Sequence, residues 1–223
     1  ETTVPPRARS PRSTPKRRRV LIGLALLASA AAAIPESAVD PRPAGSVRLR
    51  YTVGFADPTA GQLRVRLHVT GAGRQILLGY STHGQSPVHA AARFQVRRAA
   101  SPDGTEIPIE PTPGGWSIDT DRGAVVVDYD AQLRARSRDA GAFTEEILSA
   151  IDADGARLIG SDVFLFPLDT TSEDIEVAYD LPPGWTLHHP FATGPATARV
   201  PELRTLYDSA VAAGRYRHLQ RRV

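Results

Sequence analysis

"VRLRYTVGFADPTAGQLRVRLHV", residues 47 to 69, decides the class of fold. Val47, Leu49, Tyr51, Val53 and Phe55 alternate with Arg48, Arg50, Thr52 and Gly54. That period of two is what a strand with one buried face requires. Asp57, Pro58 and Gly61 supply turn chemistry, and Leu63, Val65, Leu67 and Val69 then resume the alternation against Arg64, Arg66 and His68. Two alternating strands around such a turn read as an antiparallel hairpin.

The same signals continue outward. Strands are expected at 75–80, 93–97, 106–109, 116–119 and 124–133, separated by the turn sequences "SPDG", "PTPGG" and "TDRG". Turns recurring about every ten residues predict an all-β fold, an antiparallel sandwich-like domain. Residues 143–151, "FTEEILSAI", read as a short helix with Ile147, Leu148 and Ile151 on one face, or as a strand. "DADG" at 152–155 is a tight turn, followed by strands at 156–166 and 174–181. Pro201 stands at a plausible first helical position, so 201–213 is expected to be a short C-terminal helical segment.

At 223 residues and 41% hydrophobic content the chain is long enough for a proper core. Its charge is unevenly placed: residues 1–33 hold seven basic groups and one acid, leaving 20 basic against 23 acidic beyond. A mildly acidic body argues against a nucleic-acid surface, which needs clustered positive charge. Cysteine is absent, so disulfides and thiolate zinc sites are excluded.

Residues 1–15, rich in Pro, Arg and Ser, form a leader expected to be disordered. Lys16 to Arg19 then precede an apolar run of 14 residues from Val20 to Ala33. This is the layout of a signal peptide, with Ala31 and Ala33 as an A-x-A cleavage pattern and an uncleaved anchor as the alternative. It implies export to the periplasm or the extracellular space, with membrane contact only through this segment. Residues 34–46 read as a linker, 47–198 as the β domain and 199–223 as a helical link. The chain has no initiator methionine, so either it was removed or this is a piece of a longer reading frame, and the ending "GRYRHLQRRV", without closing logic, suggests the latter.

Catalytic motifs are weak. None of the six histidines, His68, His83, His89, His188, His189 and His218, begins an H-E-x-x-H pattern. Adjacent His188 and His189 on an extended segment project to opposite faces, a poor chelate. "GYSTHG" at 79–84 is a near miss for a nucleophile elbow, with His83 where the sharp turn needs glycine; Ser81 therefore reads as part of a polar loop. "DADG" lacks the spaced oxygen ligands of a calcium loop. Arg134, Arg136 and Arg138 alternate as a solvated strand face does. Asp152, Asp154 and Asp162 have no spacing that fixes them as paired acids.

Several motifs nevertheless succeed one another in a recognisable order. They are "YTVGFADPTAGQLRVRLHV", "DGTEIPI", "GWSIDTDRGAVVVDYDAQL" with Trp116, Gly123 and Tyr129, "DGARLIGSDVFLFP", "VAYDLPPGWTL" and "ELRTLYDSAVAAGRYR". This order resembles the N-terminal domain of the glycyl aminopeptidase family, metallopeptidase family sixty-one, over roughly 47–216. The family's Pro-Gly-x-Tyr segment near the third strand is replaced by "GYSTHGQSPVHAAARF". The resemblance implies a non-catalytic β domain that docks on and shapes a downstream catalytic domain, its partner. The zinc and the peptide substrate would belong to that domain, and no catalytic, cofactor or metal residue is carried over to this chain. It also implies that Pro182, Gly184 and Trp185 form a structural corner. Leu203, Leu206, Tyr207, Asp208 and Val211 are the expected docking residues, on an exposed helical face. A stand-alone periplasmic β-sandwich that binds a ligand or partner is the alternative.

Overall fold

The computed structural model describes residues 47–82, 90–121, 123–135, 149–168, 170–172, 174–191 and 194–216. In chain order its strands are β1 (Arg48–Asp57), β2 (Gln62–Thr70), β3 (Gln75–Gly79), β4 (Phe94–Ala100), β5 (Glu106–Ile107), β6 (Glu110–Thr112), β7 (Gly115–Asp119) and β8 (Ala124–Gln132). Then come β9 (Arg134–Ala135), β10 (Ala150–Ile151), β11 (Gly155–Ile159), β12 (Phe166–Pro167), β13 (Asp174–Asp180), β14 (Thr186–His188), β15 (Thr197–Val200) and β16 (Ala210–Gly214). The short helices α1 (Gly160–Val163) and α2 (Leu203–Asp208) lie between them. The fold is all-β, as the alternation predicts.

Three sheets are present among the described residues. The largest has seven strands in the order β15-β13-β1-β2-β8-β4-β5, the second is β14-β16-β11-β10-β9, and the third is β12-β3-β7-β6. The expected hairpin is β1–β2, with Tyr51 opposite Leu67 and Val53 opposite Val65. Its turn is held by Asp57, whose Oδ1 accepts the Thr59 and Ala60 N–H groups at 3.0 Å and the Thr59 hydroxyl at 2.7 Å. Those bonds, the Thr59 hydroxyl foremost, hold the Asp57 carboxyl below its ordinary pKa.

Two pairings depart from the antiparallel expectation: β1 runs parallel to β13, and β9 parallel to β10. The β1–β13 register, from Arg48 opposite Asp174 to Gly54 opposite Asp180, joins strands more than a hundred residues apart. Nothing in a local period fixes such a partner. The register is instead fixed by burial, because Leu49, Tyr51 and Val53 must share a face with Ile175, Val177 and Tyr179.

That face, with Leu63, Val65, Leu67, Val69, Val125, Val127 and Tyr129, forms a core continuous with Ile76, Leu78 and Ile118 of the third sheet and Leu158, Val211 and Ala213 of the second. Each fully buried Leu, Ile or Val contributes about 1.5–3 kcal/mol relative to exposure. The opposite face is a lattice of cross-strand ion pairs, including Arg48–Asp174 at 2.5 Å and Arg66–Asp128 at 2.7 Å. The Arg66 guanidinium is raised in pKa by its hydrogen bond to Asp128.

The stretch 156–166 corrects the sequence reading, since it is not one strand. Strand β11 ends at Ile159, α1 makes one helical turn, and the apolar residues Val163, Phe164 and Leu165 form a fully buried connector. A buried connector must satisfy its backbone polar groups without a ladder. Two core tyrosines do so. The Tyr51 hydroxyl donates to the Leu165 carbonyl at 2.9 Å, and the Tyr129 hydroxyl donates to the Val163 carbonyl and accepts from the Leu165 N–H, each at 3.1 Å. Burial pushes both phenols far up in pKa, so they stay neutral donors.

The C-terminal segment is the second correction. The helix spans only Leu203–Asp208, and Ala210–Gly214 is a strand paired to β11 and β14. Strand β16 is therefore integral to the second sheet, and 199–216 is not a separate helical link. Of 143–151, read as a short helix or a strand, the described end Ala150–Ile151 is strand β10, while 143–148 lie outside the described residues, as do residues 20–33.

Candidate interdomain surface

Residues 182–185 make a tight turn. Trp185 N–H donates to the Pro182 carbonyl at 3.0 Å, with Pro183 and Gly184 between them and Gly184 at φ 78°. A proline at the second position and a left-handed glycine at the third are what a type II turn demands. The turn delivers the Trp185 ring into the core at 7% exposure, edge-on to Phe55 with centroids 5.1 Å apart.

Further along the chain, α2 packs across the buried connector. Gly160 N–H donates to the Ser209 carbonyl at 3.0 Å, and the Ser209 hydroxyl donates to the Leu206 carbonyl at 2.8 Å. A Cβ on Gly160 would stand 1.8 Å from the Leu206 oxygen, so only glycine lets α1 and α2 approach this closely. Leu206 is consequently buried, and Tyr207 lies against Phe166 with ring centroids 4.4 Å apart. Burial raises the Tyr207 phenol in pKa.

The expected docking residues are therefore divided. Leu206 and Val211 face this chain's own core at 1% and 3% exposure. Val211 lies on β16, so the five residues do not form one helical face. Leu203 and Tyr207 are half-buried and Asp208 is exposed. Beside them lies a shallow hollow of about 360 Å³, lined by Pro190, Phe191, Glu202, Arg204, Thr205, Asp208 and Ser209. Phe191 in that hollow, and Phe166 and Tyr207 packed ring to ring, are half-buried aromatics of this surface.

No catalytic arrangement competes with it among the described residues. No group of three His, Cys, Asp or Glu side chains there could hold a metal. His83, His89 and His218 lie outside those residues; His188 is edge-on to Tyr216 and His189 stacks on Phe191. Asp152 accepts the Asp154 and Gly155 N–H groups of its own turn at 2.8 Å, and Asp162 is ion-paired to Arg93 in the interior. A second hollow of about 640 Å³ carries Asp103, Glu106, Asp119 and Asp121. Glu106 is paired to Arg98 at 3.2 Å and Asp103 caps its own turn, which leaves no convergent ligand set.

Sequence reasoning missed Tyr51 and Tyr129 as the props of the connector, and Gly160 as its contact with α2. The signal was present: two tyrosines at inward positions of β1 and β8 need hydroxyl partners when buried.

No curated protein matches the chain. Among solved structures, an aminopeptidase N family protein from Idiomarina loihiensis superposes with a TM-score of 0.58 at 15% identity, over 74% of this chain and 29% of that one. An M1 zinc metallopeptidase variant from Deinococcus radiodurans, bound to a Tyr-Ser-Ala substrate, gives a TM-score of 0.47 at 14% identity over 77% of this chain and 42% of that one. The first likeness is one of fold alone, and this chain spans less than half of either protein. The profile of the peptidase M61 N-terminal domain matches residues 50–215, from within β1 to just beyond β16, and so the chain belongs to the family of peptidase M61 N-terminal domains.

Proposed function

We propose that this chain is the non-catalytic N-terminal β domain of an exported zinc metallopeptidase of the glycyl aminopeptidase type. In this reading it docks on and shapes the catalytic domain through Leu203, Tyr207, Asp208 and their surroundings. The observation that carries it is the family match over 50–215, which takes in all three sheets and the α2 surface. The half-buried rings of Phe166, Phe191 and Tyr207 support that surface as the contact, because aromatic anchors inside a polar rim are what protein interfaces use.

In this reading the zinc, the peptide substrate and the hydrolysis belong to the catalytic domain. Export is read from Lys16–Arg19 leading into the apolar run to Ala33. The test is the gene read past Val223. An H-E-x-x-H helix soon after supports the reading, and co-purification of the two separately expressed parts supports the docking. A stop codon directly after Val223 overturns both.

A further inference from the structure

On the solvent face of the seven-stranded sheet, Asp130 is a carboxylate whose side chain is only 4% exposed. Burying a carboxylate is unfavourable unless it is paired and hydrogen-bonded. Arg97 Nε donates to Asp130 Oδ2 at 2.7 Å, its Nη2 donates to the same oxygen, and Gln62 Nε2 donates there at 2.9 Å. Asp130 Oδ1 is buried without a hydrogen bond, and the Arg64 Nε stands 3.7 Å from it.

Two further features single out this cluster. Arg97 occupies a bulge, where the β4–β8 register shifts between Val96 and Arg98, so that Arg97 and Arg98 are both exposed. Bulges re-aim side chains at sheet edges. Three other arginines of this sheet are paired one-to-one, Arg48 with Asp174 at 2.5 Å, Arg66 with Asp128 at 2.7 Å and Arg98 with Glu106 at 3.2 Å. Asp130, by contrast, is shared by two guanidiniums. One unit of positive charge is left over there, on side chains 67% and 48% exposed.

We propose that Arg64 and Arg97, steadied from beneath by Asp130, form a clamp for the carboxylate of an acidic peptide segment of a protein partner. A guanidinium has five N–H donors in a planar fork. Arg97 directs Nε and Nη2 at Asp130, and Arg64 lies beyond hydrogen-bond reach of it, so donors remain for a bidentate carboxylate. The clamp is independent of any sequence downstream of Val223.

The test uses the full chain, nitrogen-15 labelled, with the arginine Nε–Hε resonances monitored by NMR. They are assigned by their loss in Arg64→Gln, Arg97→Gln and Arg48→Gln. Titration with a blocked tetraglutamate peptide at low salt should move the Arg64 and Arg97 resonances saturably and leave Arg48 in place, while a tetraglutamine peptide moves none. Arg64→Gln leaves Asp130 bonded to Arg97 and Gln62, so the fold is retained. The affinity read at Arg97 should fall about tenfold, as expected for one charge-assisted contact. Parallel, unsaturable movement of all exposed arginines, or an unchanged affinity in Arg64→Gln, overturns the proposal. A response to inorganic phosphate equal to the peptide's also overturns it, in favour of a small-anion site.

Discussion

Tyr129 accepts a hydrogen bond from the Leu165 N–H at 3.1 Å, tying the centre of β8 to a connector that has no ladder of its own. The same hydroxyl donates to the Val163 carbonyl. Tyr129→Phe leaves both backbone groups buried and unsatisfied, and should cost about 1–3 kcal/mol. Urea unfolding is the measurement. A loss under about 0.5 kcal/mol would mean that water or a rearranged connector replaces the hydroxyl.

Trp185 fills the edge of the core against Phe55. Truncation removes a large ring that the rigid Pro-Pro-Gly turn cannot move to replace, so Trp185→Ala should destabilise by about 3–5 kcal/mol. A much smaller loss would show that the corner collapses over the vacancy.

Gly160 and Gly184 separate two reasons for glycine. Gly184 needs its positive φ, and a Cβ there would meet only the Arg215 side chain at an ordinary contact distance of 4.0 Å, so Gly184→Ala carries chiefly the left-handed penalty of about 1–2 kcal/mol. Gly160 has backbone of α2 where a Cβ would go, and overpacking of that kind costs about 1–3 kcal/mol or more. Gly160→Ala should therefore be the more damaging of the two in thermal melts, and the reverse order would contradict the α1–α2 contact.

The alternating strands were legible because β1, β2, β8 and β13 each carry a period of two, and the corner was legible because Pro-Pro-Gly-Trp specifies a turn. What escaped was set by distant partners. The parallel β1–β13 pairing depends on burial shared across the whole chain. Val163–Leu165 look like a strand because they are apolar, yet they are buried as a connector that two tyrosines make tenable. The segment after Pro201 looks helical because Ala-rich sequence favours helix, but pairing to β11 and β14 overrides that propensity at Ala210–Gly214. Leu206 and Val211 were expected on an exposed face for the same reason: their residue type suits one, but they are claimed by this chain's core.

His68 gives a pH dependence with a definite sign. It stands on the solvent face of β2, where partial burial of its ring, and then Arg66 and Arg50, lower its pKa. A histidine whose folded pKa lies below its unfolded value of about 6.5 contributes stability above pH ~6.5 and loses it as pH falls towards the folded pKa. NMR titration should find His68 below the unfolded value, and His68→Gln should flatten the stability profile slightly in that window. A raised pKa would show Asp128 to dominate the two arginines.

The α2 surface makes the sharpest distinction between docking and core. Leu203 is half-buried with no hydrogen-bonding duty, whereas Leu206, three residues on, is fully enclosed. Leu203 packs at the margin of the core, so Leu203→Asp should cost this chain about 1–2 kcal/mol, as loss of a half-buried leucine does. If the proposed docking holds, it should also weaken association with a separately expressed catalytic domain about tenfold or more, as loss of an apolar contact in an interface does. Leu206→Asp buries an unpaired charge and should unfold the chain outright. Calorimetry of the association, alongside urea melts of each variant, separates these effects. Wild-type association by Leu203→Asp would move the contact away from α2, and equal destabilisation by both substitutions would make Leu203 part of the core.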